Sequence, residues 1–176
     1  MITVKISYDE FMKSPLVDSD YHITYSASGR HLLGDTPVTW DEMEAIAADP
    51  ENVVLPVYAY IHGGVAMQTG DFYGQLPQGH ARFDSGQSGV IFISKADIRA
   101  NYGVKRITAK TLHNVQEEMR QIVREFGQWV NGENYYIELF DEDGELLDFT
   151  SLTGSYADEI ESLRARYDEI EVVYEL

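Results

Sequence analysis

Apolar residues recur at helical spacing between residues 108 and 130. Steps of three and four residues place them along one side of a helix. Thr108 precedes this stripe and Asn131-Gly132 follows it, so the sequence predicts one long amphipathic helix from Thr108 to Val130. The stripe consists of Leu112, Val115, Met119, Ile122, Val123, Phe126 and Val130.

Other segments alternate between apolar and polar residues, or are rich in β-branched and aromatic residues, as is typical of strands. Pro56 lies in one of these segments and indicates an edge strand or a bulge there. Asp141-Glu142-Asp143-Gly144 is typical of a hairpin turn. We predict strands at residues 2–8, 21–25, 53–61, 65–68, 89–94, 135–140, 145–149 and 169–176.

Three shorter helices are also predicted. Thr39 and Glu42 have the spacing of a capping box, which opens a helix that runs to about Ala48. Ser94 can cap a helix over 95–102, with Gly103 at its end, and residues 155–167 are amphipathic. Interspersed helices and strands favour an α+β fold, with a mostly antiparallel sheet packed against the long helix and the shorter helices. No linker divides the sequence, so we expect a single domain over residues 1–176.

Composition excludes several classes of site. The chain of 176 residues is 44% hydrophobic, enough for a core, and it has no cysteine, which excludes disulfides, thiolate metal sites and cysteine nucleophiles. No apolar run approaches the roughly 20 residues of a membrane span. The N-terminal residues do not resemble a signal peptide. We therefore expect a cytoplasmic protein that does not bind membranes.

Negative charge is unevenly distributed along the chain. Residues 1–50 carry nine acidic and three basic side chains, residues 51–130 carry seven and eight, and residues 131–176 carry fourteen and two. The corresponding net charges of −6, +1 and −12 sum to −17. A field of one sign repels nucleic acid and attracts basic surfaces. We expect no direct binding to nucleic acid.

The last segment has the clearest local pattern. Ile170, Val172, Tyr174 and Leu176 alternate with a second face that carries glutamates, so a strand there would present anions in a row. Such a row could bind a basic groove, or it could be a solvated face that discourages strand pairing. The predicted partner-binding residues are Asp141, Glu142, Asp143, Glu145, Asp158, Glu159, Glu161, Glu169, Glu171 and Glu175.

Residues 62–89 contain seven of the fourteen glycines and are predicted to form a long loop around the short strand at 65–68. Ser85 or Ser88, His62 or His80, and Asp71 or Asp84 supply the residue types of a hydrolytic triad, but no G-x-S-x-G motif is present. His62, His80 and Asp84 match no known metal-ligand spacing, and the offsets after Asp141 do not fit a calcium loop. We expect no metal ion and no other cofactor. The alternative loop site consists of His62, His80, Asp84, Ser85 and Gln87.

Several segments together resemble a family of small acidic proteins encoded by bacteriophages and integrative elements. They are Leu55-Pro56-Val57-Tyr58-Ala59-Tyr60-Ile61-His62-Gly63-Gly64, the segment from Phe83 to Lys95, Tyr102-Gly103-Val104-Lys105-Arg106-Ile107-Thr108, and Gln128-Trp129-Val130-Asn131-Gly132 with Tyr135-Tyr136. Relatives tend to have Ser in place of Gly63 and Trp in place of Phe83. The resemblance covers about residues 55–140 and implies no reaction and no catalytic residues. It implies a gene carried by a mobile element, where small acidic proteins often act against host defence.

These observations lead to a first hypothesis, in which the chain inhibits a basic nucleic-acid-binding protein of a bacterial host, such as a CRISPR effector or a restriction complex. It would occupy the groove of that protein by imitating the charge of nucleic acid. The alternative is a small-ligand-binding protein or a hydrolytic enzyme that uses the 62–89 segment. A structural component of a phage is a third possibility.

Overall fold

A computed structural model describes residues 1–77 and 79–176 and confirms the α+β class. The helices in this part of the chain are α1 (Trp40–Ala48), α2 (His80–Phe83), α3 (Lys95–Tyr102), α4 (Ala109–Val130) and α5 (Ala157–Arg166). The strands are β1 (Ile2–Tyr8), β2 (His22–Ser26), β3 (Thr36–Val38), β4 (Asn52–Ile61), β5 (Val65–Gln68), β6 (Ser85–Ser94), β7 (Asn134–Phe140), β8 (Leu146–Thr153) and β9 (Ile170–Glu175). None of the described helices has both the length and the apolar character that crossing a membrane requires.

The elements form two compact units. The terminal unit comprises Met1–Lys13 and Asn131–Leu176, and the central unit comprises Ser14–Val130. Each unit has its own sheet and its own cluster of buried apolar residues. The expectation of a single domain over residues 1–176 stays a prediction.

The central unit is built on a five-stranded sheet in the order β3-β2-β6-β4-β5. All neighbouring strands are antiparallel except β2 and β3, which are parallel. Helix α4 packs on this sheet through the predicted stripe, of which Val115, Met119, Val123 and Phe126 are buried. A separate cluster joins Met43 of α1 to strand residues. The long helix therefore covers much of the core that its sequence pattern predicts.

The helix boundaries follow the predicted capping residues. The side chain of Thr39 accepts a hydrogen bond from the Glu42 N–H, and the Glu42 carboxylate accepts one from the Thr39 N–H at 2.8 Å. Ser94 accepts from the Asp97 N–H at 3.0 Å in the same way. At the end of α3, Gly103 adopts a φ of 63°, a left-handed conformation that favours glycine.

Strands β2 and β6 approach each other closely at Gly89. A Cβ atom placed on Gly89 would lie 1.9 Å from the backbone oxygen of Thr24. The buried Thr24 hydroxyl accepts a hydrogen bond from the Val90 N–H at 2.9 Å. The position admits only glycine because any side chain would occupy the space of the neighbouring backbone.

The terminal unit is a four-stranded sheet in the order β8-β7-β1-β9. Strand β7 is antiparallel to both β8 and β1, whereas β9 is parallel to β1. Helix α5 connects β8 at one edge to β9 at the other, as parallel strands require a crossover connection. The helix covers one face of the sheet, where its Ile160 and Leu163 pack with Val4, Ile6, Ile137 and Leu139.

Several predicted boundaries and one predicted loop differ from the structure. Residues 62–89 are not one loop around β5, because α2 occupies part of them and β6 begins at Ser85 rather than at Gly89. Strand β3 was not predicted, and β8 continues to Thr153. Pro56 lies in a part of β4 that pairs with β6 alone, since β5 pairs only with residues 58–61, so its position is a local edge as expected, and a register shift follows it between Val57 and Tyr58. These differences arise where strand pairing rather than local pattern determines the backbone.

Two tyrosines share one carboxylate of α4. Tyr21 and Tyr102 each donate a hydrogen bond to Glu118, and the Tyr102 bond is 2.5 Å long. The hydrogen bond to Glu118, followed by desolvation, raises the pKa of Tyr102 to about 12. Burial and then the same carboxylate raise the pKa of Tyr21. Both phenols are therefore held in their neutral form by the fold.

We predict that Gly89→Ala destabilises the central unit by about 1–3 kcal/mol, because backbone atoms of β2 must move to admit a methyl group. Urea unfolding followed by circular dichroism measures this change. Gly86→Ala, in the same strand, is the matched control, since its Cβ meets no atom within 4 Å. Equal stability of the two variants would contradict the close approach.

Alkaline pH is predicted to weaken the Glu118 network. The raised pKa of Tyr102 adds stability that is fully present below the ordinary value of 10.0 and is lost as the pH rises toward about 12. Glu118→Gln removes the negative charge, so Tyr102 should ionise at lower pH. Ultraviolet absorbance of phenolate, compared with Tyr102→Phe on each background, isolates this titration. An unchanged titration in Glu118→Gln would show that the carboxylate does not control Tyr102.

Candidate functional site

The structure brings His62, His80 and Asp84 together at one end of the β4–β6 pair. Tyr60 of β4 pairs with Ser85 of β6, and the Ile61 N–H donates to the Asp84 carbonyl at 2.9 Å. The residue that follows β4 therefore lies beside the residue that precedes β6. The single turn of α2 places His80 four residues before Asp84, with the Asp84 N–H donating to the His80 carbonyl at 2.8 Å.

The three side chains form a compact group, here called the His–Asp cluster (His62, His80 and Asp84). His62 Nδ1 lies 3.1 Å from Asp84 Oδ2, and the two imidazole rings have centroids 4.7 Å apart. One potential ligand atom from each residue lies within 4.8 Å of the other two. His62 is exposed and the other two side chains are half-buried, so the cluster is accessible from solvent.

Tyr60 supports the cluster from β4. Its hydroxyl is 2.9 Å from His80 Nδ1, and its ring stacks on that of His62 with centroids 6.0 Å apart. A hydrogen bond to Nδ1 fixes the ring orientation of a histidine and determines which nitrogen remains for another partner. The sequence spacing of the three cluster residues gave no indication of this arrangement because strand pairing, not local spacing, creates it.

The two candidate nucleophiles, Ser85 and Ser88, and Gln87 of the alternative loop site have other partners. Ser85 donates to the Ala81 carbonyl, and Ser88 donates to the Val57 carbonyl at 3.4 Å. Gln87 donates to the Gly89 carbonyl at 3.2 Å. These contacts orient the hydroxyls toward the backbone, whereas a serine nucleophile needs a hydrogen bond to a base. The geometry thus groups His62, His80 and Asp84 without supporting a serine-based triad.

A cleft of about 640 Å³ lies in the central unit and shares Asp84 with the cluster. Its lining includes Trp40 and Phe83, whose side chains are 59% and 80% exposed. Arg30 and His31 add polar groups to the same lining. Small-ligand pockets combine aromatic side chains with a few polar or charged groups, as the lining of this open cleft does.

The predicted partner-binding carboxylates all lie in the terminal unit, in three groups. The hairpin between β7 and β8 carries Asp141, Glu142, Asp143 and Glu145. Asp141 stabilises the hairpin turn, because its carboxylate accepts hydrogen bonds from the N–H groups of Asp143 and Glu145, each at 2.9 Å. The other three hairpin side chains are exposed.

Helix α5 and strand β9 carry the other two groups on different faces of the sheet. Asp158, Glu159 and Glu161 belong to the helix that covers one face. Glu171 and Glu175 alternate with Ile170 and Val172, which pack toward that helix, so these glutamates project from the opposite face. Glu169 is exposed and precedes β9. The ten residues therefore surround the terminal unit rather than forming one flat surface.

Few basic groups neutralise these carboxylates. Glu175 lies 3.5 Å from Lys5 on β1, and Glu159 lies 3.6 Å from Arg166. The side chains of the first pair are 40% and 55% exposed, and ion pairs of this kind contribute little to stability. Most of these carboxylates are therefore accessible from solvent.

Comparison with protein-family models, with curated proteins and with solved structures found no match to this chain. The arguments about function that follow therefore use the residues and geometry of the chain itself.

Proposed function

We propose that the chain is a mobile-element protein that inhibits a nucleic-acid-binding protein of its host, of the kind found in CRISPR or restriction systems. The terminal unit would bind in the basic groove of that protein and exclude DNA or RNA. The family resemblance around residues 55–140 suggests the mobile element, and the charge of the terminal unit suggests the kind of partner.

One observation carries this proposal, namely that most of the net negative charge belongs to one compact unit. The 59 residues of the terminal unit contain 16 acidic and 4 basic side chains, a net charge of −12. The 117 residues of the central unit contain 14 acidic and 9 basic side chains, a net charge of −5. The two values sum to the −17 of the whole chain. Solubility alone gives no reason for such a separation.

The position of the carboxylates supports binding to a concave basic surface. They occupy the hairpin, the outer helix and the edge strand of a single sheet, and eight of the ten are exposed. A groove that holds nucleic acid presents basic side chains toward several sides of its ligand. A small unit with carboxylates on both faces can satisfy more of those side chains than a flat acidic patch.

The mechanism would be electrostatic attraction followed by steric exclusion. Opposite charges accelerate the encounter and align the partners, and the bound unit then blocks access to the groove. Exposed charges more than about 10 Å apart are largely screened at 0.1 M salt. Binding should therefore weaken strongly as the salt concentration rises.

We predict that reversing the charge of one of the three sets of acidic residues, on the strand, the helix or the hairpin, abolishes partner capture while the fold remains intact. Three variants separate the groups. The strand variant is Glu169→Lys with Glu171→Lys and Glu175→Lys; the helix variant is Asp158→Lys with Glu161→Lys; and the hairpin variant is Glu142→Lys with Asp143→Lys and Glu145→Lys. Asp141 is left unchanged because its carboxylate accepts two backbone hydrogen bonds in the hairpin, and Glu159 is left unchanged because it is half-buried. Pull-down from a bacterial lysate at low and high salt, with mass spectrometry, identifies the captured proteins.

The identified partner is then purified and tested for release of bound DNA or RNA when the chain is added. The control variant reverses Asp41, Glu44 and Glu51 to Lys in the central unit, where all three side chains are exposed. It should capture the partner as the wild type does. If all three terminal-unit variants still displace nucleic acid, or if the partner holds no nucleic acid, charge mimicry is wrong.

The cleft lined by Trp40 and Phe83 favours a second candidate function, in which the central unit binds a small ligand. Arg30 and His31 suit an anionic group, and the aromatic side chains suit a flat or apolar one. This function would use none of the terminal-unit carboxylates. The two candidate functions can therefore be separated by mutation.

For the second candidate, we predict that a small anionic aromatic compound raises the melting temperature of the wild type but not that of Trp40→Ala. A ligand at 100 times its dissociation constant adds about 2.7 kcal/mol to stability, which a thermal-shift screen detects. Phe11→Ala, which removes an aromatic side chain that is 91% exposed and lies in the terminal unit, is the control. The cleft would not be a ligand site if no compound raised the melting temperature of the wild type, or if the compounds raised that of Trp40→Ala equally.

A further inference from the structure

We infer that the His–Asp cluster is a binding site for a divalent transition metal ion, with Zn²⁺ as the best fit. The ligands would be His62, His80 and Asp84. Two imidazole nitrogens and one carboxylate oxygen form a ligand set that zinc accepts, and three protein ligands leave a fourth position for water or a ligand. The site is independent of the proposed inhibitory function, since it contains no carboxylate of the terminal unit.

The observed distances are close to those of a coordination sphere. Two ligands on one tetrahedral zinc ion, at bond lengths of about 2.0–2.1 Å, lie about 3.3 Å apart. His62 Nδ1 and Asp84 Oδ2 are already 3.1 Å apart, and the ligand atom of His80 lies within 4.8 Å of both. An ion at this position would replace the hydrogen bond between His62 and Asp84 and would draw His80 toward both of them.

Backbone hydrogen bonds hold all three ligand residues in place before any ion binds. Asp84 ends α2 and its N–H is bonded to the His80 carbonyl, so these two residues keep a fixed separation of one helical turn. The Ile61 N–H bonds to the Asp84 carbonyl and fixes the position of His62, which follows it. A site positioned by strand and helix hydrogen bonds loses little conformational freedom on binding.

Tyr60 supplies the second interaction that metal-binding histidines require. Histidine ligands almost always donate their other ring N–H to a neighbouring acceptor, which fixes the tautomer and the ring orientation. With His80 Nδ1 bonded to the Tyr60 hydroxyl at 2.9 Å, Nε2 is the atom that would coordinate the ion.

A second histidine–aspartate pair provides an internal comparison. His22 Nδ1 lies 2.8 Å from Asp35 Oδ2, a shorter distance than that between His62 and Asp84. Among the residues that the structure describes, only the His–Asp cluster brings three potential metal ligands together. The pair of His22 and Asp35 has no third ligand of this kind nearby in the described part of the chain. His22→Ala is therefore a matched control that removes a histidine–aspartate contact without removing the proposed site.

Isothermal titration of the full chain, freed of metal, with Zn²⁺ tests the inference. We expect one tight site per chain in the wild type, in His22→Ala and in the strand variant. The double variant His62→Ala with His80→Ala should lose it, and Asp84→Asn should weaken it at least about 100-fold. Tyr60→Phe should weaken binding about 10-fold, since loss of an outer contact typically costs 10–100-fold. Circular dichroism confirms that each variant is folded.

Two further measurements use the wild type and do not depend on the variants. Co²⁺ bound by four nitrogen and oxygen ligands should give visible absorption bands that excess Zn²⁺ removes. Chemical modification of histidines, read by mass spectrometry, should be suppressed by Zn²⁺ at His62 and His80 but not at His22. The inference is overturned if Zn²⁺ binds the double variant as tightly as the wild type, if it binds only weakly to many carboxylates, or if it leaves His62 and His80 as reactive as before.

Discussion

The antiparallel pairing of β4 with β6 is the interaction on which the central unit depends. The ladder extends from Asn52 opposite Ser94 to Tyr60 opposite Ser85, and a bulge at Ser88 shifts the register by one residue. The Ser88 hydroxyl bonds to the Val57 carbonyl, which holds the bulge in place. Because a shift of one residue exchanges the faces of a strand, this bulge determines which side chains enter the core and which surround His62 and Asp84.

The terminal unit is under a different constraint, because a small apolar core must stabilise a unit whose surface charges repel one another. Its buried apolar side chains are Val4, Ile6, Leu139, Ile137, Ile160 and Leu163, and they balance the mutual repulsion of a unit with a net charge of −12. Self-repulsion of this kind destabilises a compact state. The proposed binding to a basic partner would account for the concentration of carboxylates in the smaller unit.

Local sequence pattern predicted the features that depend on neighbours in the chain. The stripe on α4, the caps at Thr39 and Ser94, and the turn at Asp141 each follow from residues within one or two turns of backbone. The sequence could not predict the His–Asp cluster, the early start of β6 or the division of the acidic residues between two sheet faces. Each of these depends on which strands pair and in which register, and pairing partners here are separated by up to 168 residues, as for Ile2 and Ile170.

The acidic field and the His–Asp cluster are related through the kind of cation that each selects. A chain with a net charge of −17 attracts every cation, and exposed carboxylates alone favour hard ions such as Ca²⁺ and Mg²⁺. Imidazole nitrogens change this preference, because they bind zinc and its neighbours far better than they bind hard ions. The field would therefore raise the local concentration of all divalent cations, whereas His62 and His80 of the proposed site would determine which of them is retained. Such a division would allow a site with only one carboxylate to be selective in a chain that has thirty acidic side chains.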